Sequence, residues 1–124
     1  MDDRFCKFSL VNRMANLAEE TRGYIEDSHR IRIKIHDLGK KLVALQKEEA
    51  IKVLDFNGVI AADKALTNAD KRKAALSELK AKDQGYLAIE LDIESVRDDI
   101  SLLEIQLKTN TDMIKLNLTL LTST

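Results

Sequence analysis

The chain has 124 residues, enough for one domain; 44% of them are apolar and 33% are charged. It has no proline, no tryptophan and four glycines, so it has few places to turn, which favours long helices over a many-stranded sheet. The formal net charge of −1 argues against binding to nucleic acid or membranes through bulk charge, so such binding would need a local basic patch.

The N-terminal sequence MDDRFCKF begins with acidic residues and lacks the apolar segment of a secretory signal. Its Cys6 is the only cysteine of the chain, which excludes an internal disulfide and a cysteine-based zinc site. We therefore expect a reduced thiol at Cys6. No apolar run exceeds four residues, so we expect a soluble, cytoplasmic protein without membrane contact.

A heptad pattern begins at Leu10 and continues for five heptads. Nine of its eleven positions are apolar and two are small hydroxyl residues, which is typical of a helix that packs against a neighbour along one seam. The pattern predicts a first helix over about residues 4–56. Its seam positions are Leu10, Met14, Leu17, Thr21, Tyr24, Ser28, Ile31, Ile35, Leu38, Leu42 and Leu45.

Residues 29–36, HRIRIKIH, alternate between apolar and charged or histidine side chains, as a half-buried strand would. Ile31 and Ile35 nevertheless occupy seam positions of the helical pattern, which continues unbroken on both sides. We therefore predict that this segment is helical.

The segment DFNGVIAADKALTNAD, residues 55–70, has the composition of a hinge. Asn57-Gly58 could end the first helix with a left-handed C-cap, and Thr67 with Asp70 resembles a capping box for the next helix. These signals predict a hinge over about residues 57–68, with a possible short helix inside it.

A second, more regular seam follows and predicts a helix over about residues 69–121. Apolar residues recur every seven positions at Leu79, Tyr86, Ile93, Ile100, Leu107, Ile114 and Leu121. The positions three residues further on are Lys82, Ile89, Val96, Leu103, Asn110 and Asn117. The tail MIKLNLTLL, residues 113–121, also alternates like a strand, but the seven-residue repeat favours a helix there.

The predicted fold is all-α, a long antiparallel coiled-coil-like helical hairpin with a short hinge. Folding the chain back near residue 62 would place the basic residues from Arg30 to Lys41 opposite the acidic residues of segment 90–99, so that the two bands pair.

Apolar residues also lie beside the seams, which implies more than one neighbour for each helix. They are Val11, Ala18, Ile25, Leu87, Leu91, Leu102, Ile105 and Leu116. We therefore predict that hairpins assemble into a dimeric or tetrameric multi-helix bundle. The predicted oligomer seam consists of Leu17, Tyr24, Ile31, Ile35, Leu38, Leu42, Tyr86, Ile93, Val96, Ile100, Leu103 and Leu107.

Motifs for catalysis, phosphate binding and metal binding are absent from the sequence. Glu26 and His29 form an E-x-x-H pair like those of carboxylate metal sites, but both lie beside the seam and not on it, so they would point away from a bundle core. We expect no enzyme activity, no cofactor and no metal.

Two functions remain. The first is a structural or interaction module that acts as a scaffold, adaptor or regulator, with a further protein as a possible partner. The second is a nucleic-acid-binding accessory protein that uses segment 29–52, which carries seven Lys or Arg against three acids. In this second interpretation Arg30, Arg32 and Lys34 would contact the nucleic acid, from a strand ribbon or from a helix face resting on phosphates.

Overall fold

The computed structural model describes the backbone of residues 3–123 and the side chains of residues 9–123. This part of the chain contains three helices and no strand: α1 is Asp3–Ala62, α2 is Ala69–Lys82 and α3 is Gln84–Thr122. The helices α1 and α3 pack together, which confirms the all-α hairpin. The prediction about the thiol of Cys6 concerns a side chain outside the described residues.

Residues 29–36 and 113–121 are helical, as the seams predicted. Ile31 is buried and Ile35 is half-buried, whereas Ile33 is exposed on another side of α1. The alternation of residue types in these two segments therefore reflects a helix with one buried stripe.

The end of α1 lies further along the chain than predicted. Asn57 and Gly58 lie inside the helix, and no described residue has a positive φ, so the proposed left-handed cap was wrong. The physical reason is packing, because Phe56 and Ile60 are both buried and continue the seam past Gly58. A helical glycine costs about 1 kcal/mol relative to alanine, less than the burial of two large apolar side chains provides.

A tight turn at Asp63 follows α1. The Asp63 side chain accepts a hydrogen bond from the Ala65 N–H at 2.9 Å, and the Asp63 carbonyl accepts from the Leu66 N–H at 3.2 Å. This arrangement is an Asx turn, in which the carboxylate replaces helical hydrogen bonds that the backbone has lost.

The short helix α2 begins after Asn68 and not after the predicted cap Thr67. The Asn68 Oδ1 accepts from the Lys71 N–H at 2.8 Å, and Asn68 has extended backbone angles, as an N-cap residue should. Asp70 in the first turn and Lys80 and Lys82 in the last turn complement the helix dipole. None of its residues is fully buried, so α2 is a surface element.

The predicted second helix is interrupted at Asp83, which the sequence analysis missed. The Asp83 N–H still donates to the Leu79 carbonyl at 3.1 Å, but its ψ of 111° is extended and ends α2. The Asp83 Oδ1 then accepts from the Tyr86 N–H at 2.8 Å, so the same residue is the N-cap of α3.

The chain forms two compact units. Unit 1 joins the part of α1 up to His36 with the part of α3 from Ser101 onward, and unit 2 is Asp37–Ile100. In unit 1, the Asn110 side chain donates a hydrogen bond to Asp27, and in unit 2, the Lys52 side chain donates one to Asp83. The residue numbers of the pair add to 137 in unit 1 and to 135 in unit 2, so within each unit residue i lies opposite roughly residue 136 minus i.

This register corrects part of the predicted pairing of the basic and acidic bands. Arg30, Arg32 and Lys34 belong to the unit that contains the end of α3, whereas residues 90–99 belong to the other unit, together with Lys40 and Lys41. The prediction assumed that the chain folds back at residue 62, whereas α1 extends to Ala62 and the turn follows over residues 63–68, so the observed register differs from the predicted one by roughly 12 residues.

Candidate interaction surface

The seam of unit 1 is unusually polar at its most buried positions. Thr21 and Ser28 on α1 and Asn110 and Asn117 on α3 are all buried. The Asn110 Nδ2 donates to Asp27 Oδ2 at 2.8 Å, and Thr21 Oγ1 donates to the Leu17 carbonyl at 2.7 Å. Each of these two polar groups therefore has a partner inside the unit.

Two other atoms of this polar seam have no hydrogen-bond partner within the described residues, namely Ser28 Oγ and Asn117 Nδ2. Leaving such a buried group unpaired costs about 1–3 kcal/mol. Buried asparagines in helical seams weaken packing but restrict register and partner number. The polar seam is therefore better suited to defining one alignment of α1 on α3 than to maximising stability.

The core of unit 2 is apolar and aromatic. The Phe56 and Tyr86 rings meet edge to face, with their centroids 5.8 Å apart, and the Lys80 Nζ lies 5.6 Å from the centroid of the Tyr86 ring. Burial raises the pKa of Tyr86 to about 12, and the negative charges of Glu90 and Glu49 add to this effect. Tyr86 therefore stays a neutral packing residue throughout the physiological range.

An ion pair connects α1 to the start of α3 in unit 2. The Lys52 Nζ donates to Asp83 Oδ1 at 3.2 Å. The hydrogen bond from the Tyr86 N–H lowers the pKa of Asp83, and its contact with Lys52 acts in the same direction. Gly85 leaves room for this pair, because a Cβ at that position would lie 3.0 Å from Lys52 Nζ.

The residues of the predicted oligomer seam are covered by packing within one chain. Ile31, Tyr86, Ile93 and Val96 are buried. The rest are half-buried: Leu17, Tyr24, Ile35, Leu38, Leu42, Ile100, Leu103 and Leu107. Their contact with a second copy stays a prediction.

The basic residues predicted to contact nucleic acid are exposed side chains of α1. With about 100° between successive residues of an α-helix, Arg30 and Lys34 lie on one side and Arg32 lies on the other. Arg30 approaches Asp27 of its own helix at 4.0 Å. Since the segment is helical, the strand-ribbon version of the nucleic-acid interpretation was wrong.

Large apolar side chains remain exposed on both long helices. The sequence analysis identified several of them, including Val11, Ile25 and Leu102, as apolar residues that lie beside the seams, and all three are exposed. It had missed Val43, Ile51 and Leu54, which are also at least half exposed. A search for residues recurring at the helical period of 3.6, in addition to the heptad, would have found them.

Glu26 and His29 are both exposed. Among the described residues, no group of three or more His, Cys, Asp or Glu side chains is arranged to hold a metal ion. No helix in the described part of the chain is long and apolar enough to cross a membrane.

Comparison with known proteins gives no match to a protein-family model, to a curated protein or to a solved structure.

Proposed function

We propose that this chain is a non-enzymatic interaction module: a self-associating helical hairpin that acts as a scaffold, adaptor or regulator of other proteins. The observation that carries the proposal is the exposed apolar surface of the two long helices. Leu91, Leu102 and Ile105 are each about two-thirds exposed, at 66%, 65% and 64%. The heptad seam of each helix already packs against the other helix, so these side chains need another neighbour.

The proposed neighbour is a second copy of the chain, forming a dimer or tetramer of hairpins. Helical hairpins commonly complete their burial by pairing into four-helix bundles, and closed homo-oligomers are the most frequent assemblies. We also propose a cytoplasmic location, which the reduced state expected of a single cysteine supports.

The test is the solution mass, measured by size-exclusion chromatography with light scattering at two protein concentrations. We expect a stable dimer or tetramer for the wild type, and a shift towards monomer for the double variant Leu102→Gln, Ile105→Gln. The matched control is Thr119→Gln, an exposed polar position on the same helix. A wild-type monomer at both concentrations would contradict the proposal.

A short DNA duplex added to the same experiment tests nucleic-acid binding. We expect no change of mass on adding duplex. If the mass rises with duplex, and triple reversal of Arg30, Arg32 and Lys34 to Glu abolishes that rise without loss of helicity, the basic face of α1 binds nucleic acid instead.

A further inference from the structure

The exposed apolar side chains of α1 share one face of the helix with basic residues. At about 100° per residue, six of the eight exposed large hydrophobic residues of α1 fall within an arc of about 80°. In unit 1 this arc contains Val11, Ile25 and Ile33 together with Arg22. In unit 2 it contains Val43, Ile51 and Leu54 together with Lys40 and Lys47. We name the arc the α1 outer face.

Among the described side chains, the α1 outer face contains no Asp or Glu. Over residues 9–62, where its side chains are described, α1 contains eight Asp or Glu residues, yet none of them lies within the arc of about 80°. Every residue within the arc is exposed. The face is therefore apolar and basic in each unit.

The helix α3 has an exposed face of the opposite character. Six of its seven exposed large hydrophobic residues lie within an arc of about 80°. In unit 1 this arc contains Leu102, Ile105, Leu116 and Leu120 with Asp112. In unit 2 it contains Leu87 and Leu91 with Glu94 and Asp98. We name it the α3 outer face.

Basic residues are excluded from the α3 outer face. The three Lys or Arg residues of α3, which are Arg97, Lys108 and Lys115, lie outside the arc. The α1 outer face thus carries three Lys or Arg and the α3 outer face three Asp or Glu. Both faces are solvent-exposed in the single chain, so a contact between them has to form between copies.

Given the self-association proposed above, we propose that the α1 outer face of one copy docks against the α3 outer face of a second copy. The apolar side chains of the two faces would lose their contact with water, and charges of opposite sign would meet at the rim. Two faces of the same type would instead bring like charges together. Association of an α1 outer face with an α3 outer face is therefore favoured over association of two α1 outer faces.

One antiparallel register satisfies charged and apolar pairs together. Within unit 2, Lys40 with Glu94 and Val43 with Leu91 each have residue numbers that add to 134. Aligning either of these pairs therefore aligns the other, because both helices advance by the same rise per residue. In unit 1, the residue numbers of the charged pair Arg22 and Asp112 also add to 134.

The test is a charge-swap experiment. The basic-to-acidic variant is Arg22→Glu, Lys40→Glu, and the acidic-to-basic variant is Glu94→Lys, Asp112→Lys. We expect each variant alone to associate roughly tenfold or more weakly than the wild type, because each reversal replaces an attraction by a repulsion. An equimolar mixture of the two variants, and the chain that carries all four substitutions, should regain most of the wild-type association.

The readout is the dissociation constant from sedimentation equilibrium, with circular dichroism to verify that every variant is folded. The matched control is Lys41→Glu, Glu104→Lys, which reverses the charge of one exposed residue on each helix outside the two faces. The control should associate like the wild type.

The outcomes separate this inference from the proposed function. If the wild type associates but the charge-swap variants associate equally well, the docking of unlike faces is wrong and self-association stands. If the wild type is a monomer, self-association fails, and with it this inference. A monomer that cosediments with phosphatidylserine vesicles would assign the α1 outer face to an anionic membrane surface.

Discussion

At the scale of single residues, Asp83 has three structural roles. It ends α2, it caps α3 through the Tyr86 N–H, and it receives the Lys52 ammonium of α1. Asp is suited to all three, because a short carboxylate reaches a backbone donor of the next turn and also carries charge. A single side chain therefore determines both where the helix is interrupted and how that end of α3 is held against α1.

The pKa of Asp83 predicts how stability depends on pH. Because the folded state lowers this pKa, the charged carboxylate stabilises the fold above the unfolded value of about 4, and this contribution is lost as the pH falls through the folded pKa. We expect Asp83→Asn to lower the Tm by a few degrees at pH 7, and the difference from the wild type to shrink as the pH is lowered from 7 to 2.

Thermal unfolding followed by circular dichroism across that pH range checks this prediction. Asp55→Asn is the control, since Asp55 is an exposed aspartate of α1. A Tm difference that stays constant from pH 7 to pH 2 would mean that the charge of Asp83 is not what stabilises the junction.

At the scale of helices, glycine-to-alanine substitutions show whether steric contact with the new Cβ or the loss of backbone entropy has the larger effect on stability. A Cβ at Gly23 would meet nothing within 4 Å, whereas a Cβ at Gly85 would lie 3.0 Å from Lys52 Nζ and 3.2 Å from Asp83 Oδ1. We expect Gly23→Ala to raise the free energy of unfolding by about 0.5–1 kcal/mol. We expect Gly85→Ala to raise it less or to lower it, because Lys52 must move away from Asp83.

Urea unfolding of the two variants beside the wild type measures the difference directly. Gly39→Ala provides a second open position, since nothing lies within 4 Å of a Cβ there. An equal increase in the free energy of unfolding for Gly85→Ala and Gly23→Ala would show that the Lys52–Asp83 pair adjusts without loss of stability.

The helix boundaries also show where sequence patterns are reliable. The heptad predicted the buried stripe of α1 from Met14 to Leu45, because burial on one side repeats with the helix itself, whereas its first position, Leu10, is 44% exposed. It could not place the end of α1, since local signals at Asn57-Gly58 favoured a cap and the tertiary packing of Phe56 and Ile60 outweighed them. The N-cap at Asp83 was missed because the heptad continues in phase through it, from Leu79 to Tyr86.

At the scale of the whole molecule, α3 has one face buried in the fold and one exposed face, which we propose serves assembly. Ile93 is 5% exposed and Leu91 is 66% exposed, although they are two residues apart. We expect Ile93→Asp to lower the free energy of unfolding by about 3 kcal/mol or more, because it places a charge in the seam of unit 2. Leu91→Asp should leave the fold intact and weaken only association.

Circular dichroism and light scattering on the same two variants separate these effects. Retention of the wild-type melting temperature and mass by Ile93→Asp would contradict the assignment of the seam. Unfolding by Leu91→Asp would contradict the assignment of the α3 outer face to assembly.

The sequence by itself determined the helical class, the antiparallel hairpin and the buried stripe of each long helix. These follow from composition and periodicity, which act within one helix and need no knowledge of its partner. The exposed apolar residues also follow from periodicity, once 3.6 residues per turn is considered in addition to the heptad.

Only the tertiary structure decided the register of α1 on α3, the extent of α1 and the junction at Asp83. Register depends on where α1 ends and on the turn that follows it, and no repeat within either long helix contains that position. A heptad pattern fits equally well when one helix is shifted by a whole heptad. Particular contacts, such as Asp27 with Asn110 and Lys52 with Asp83, are therefore what distinguish one alignment from the others.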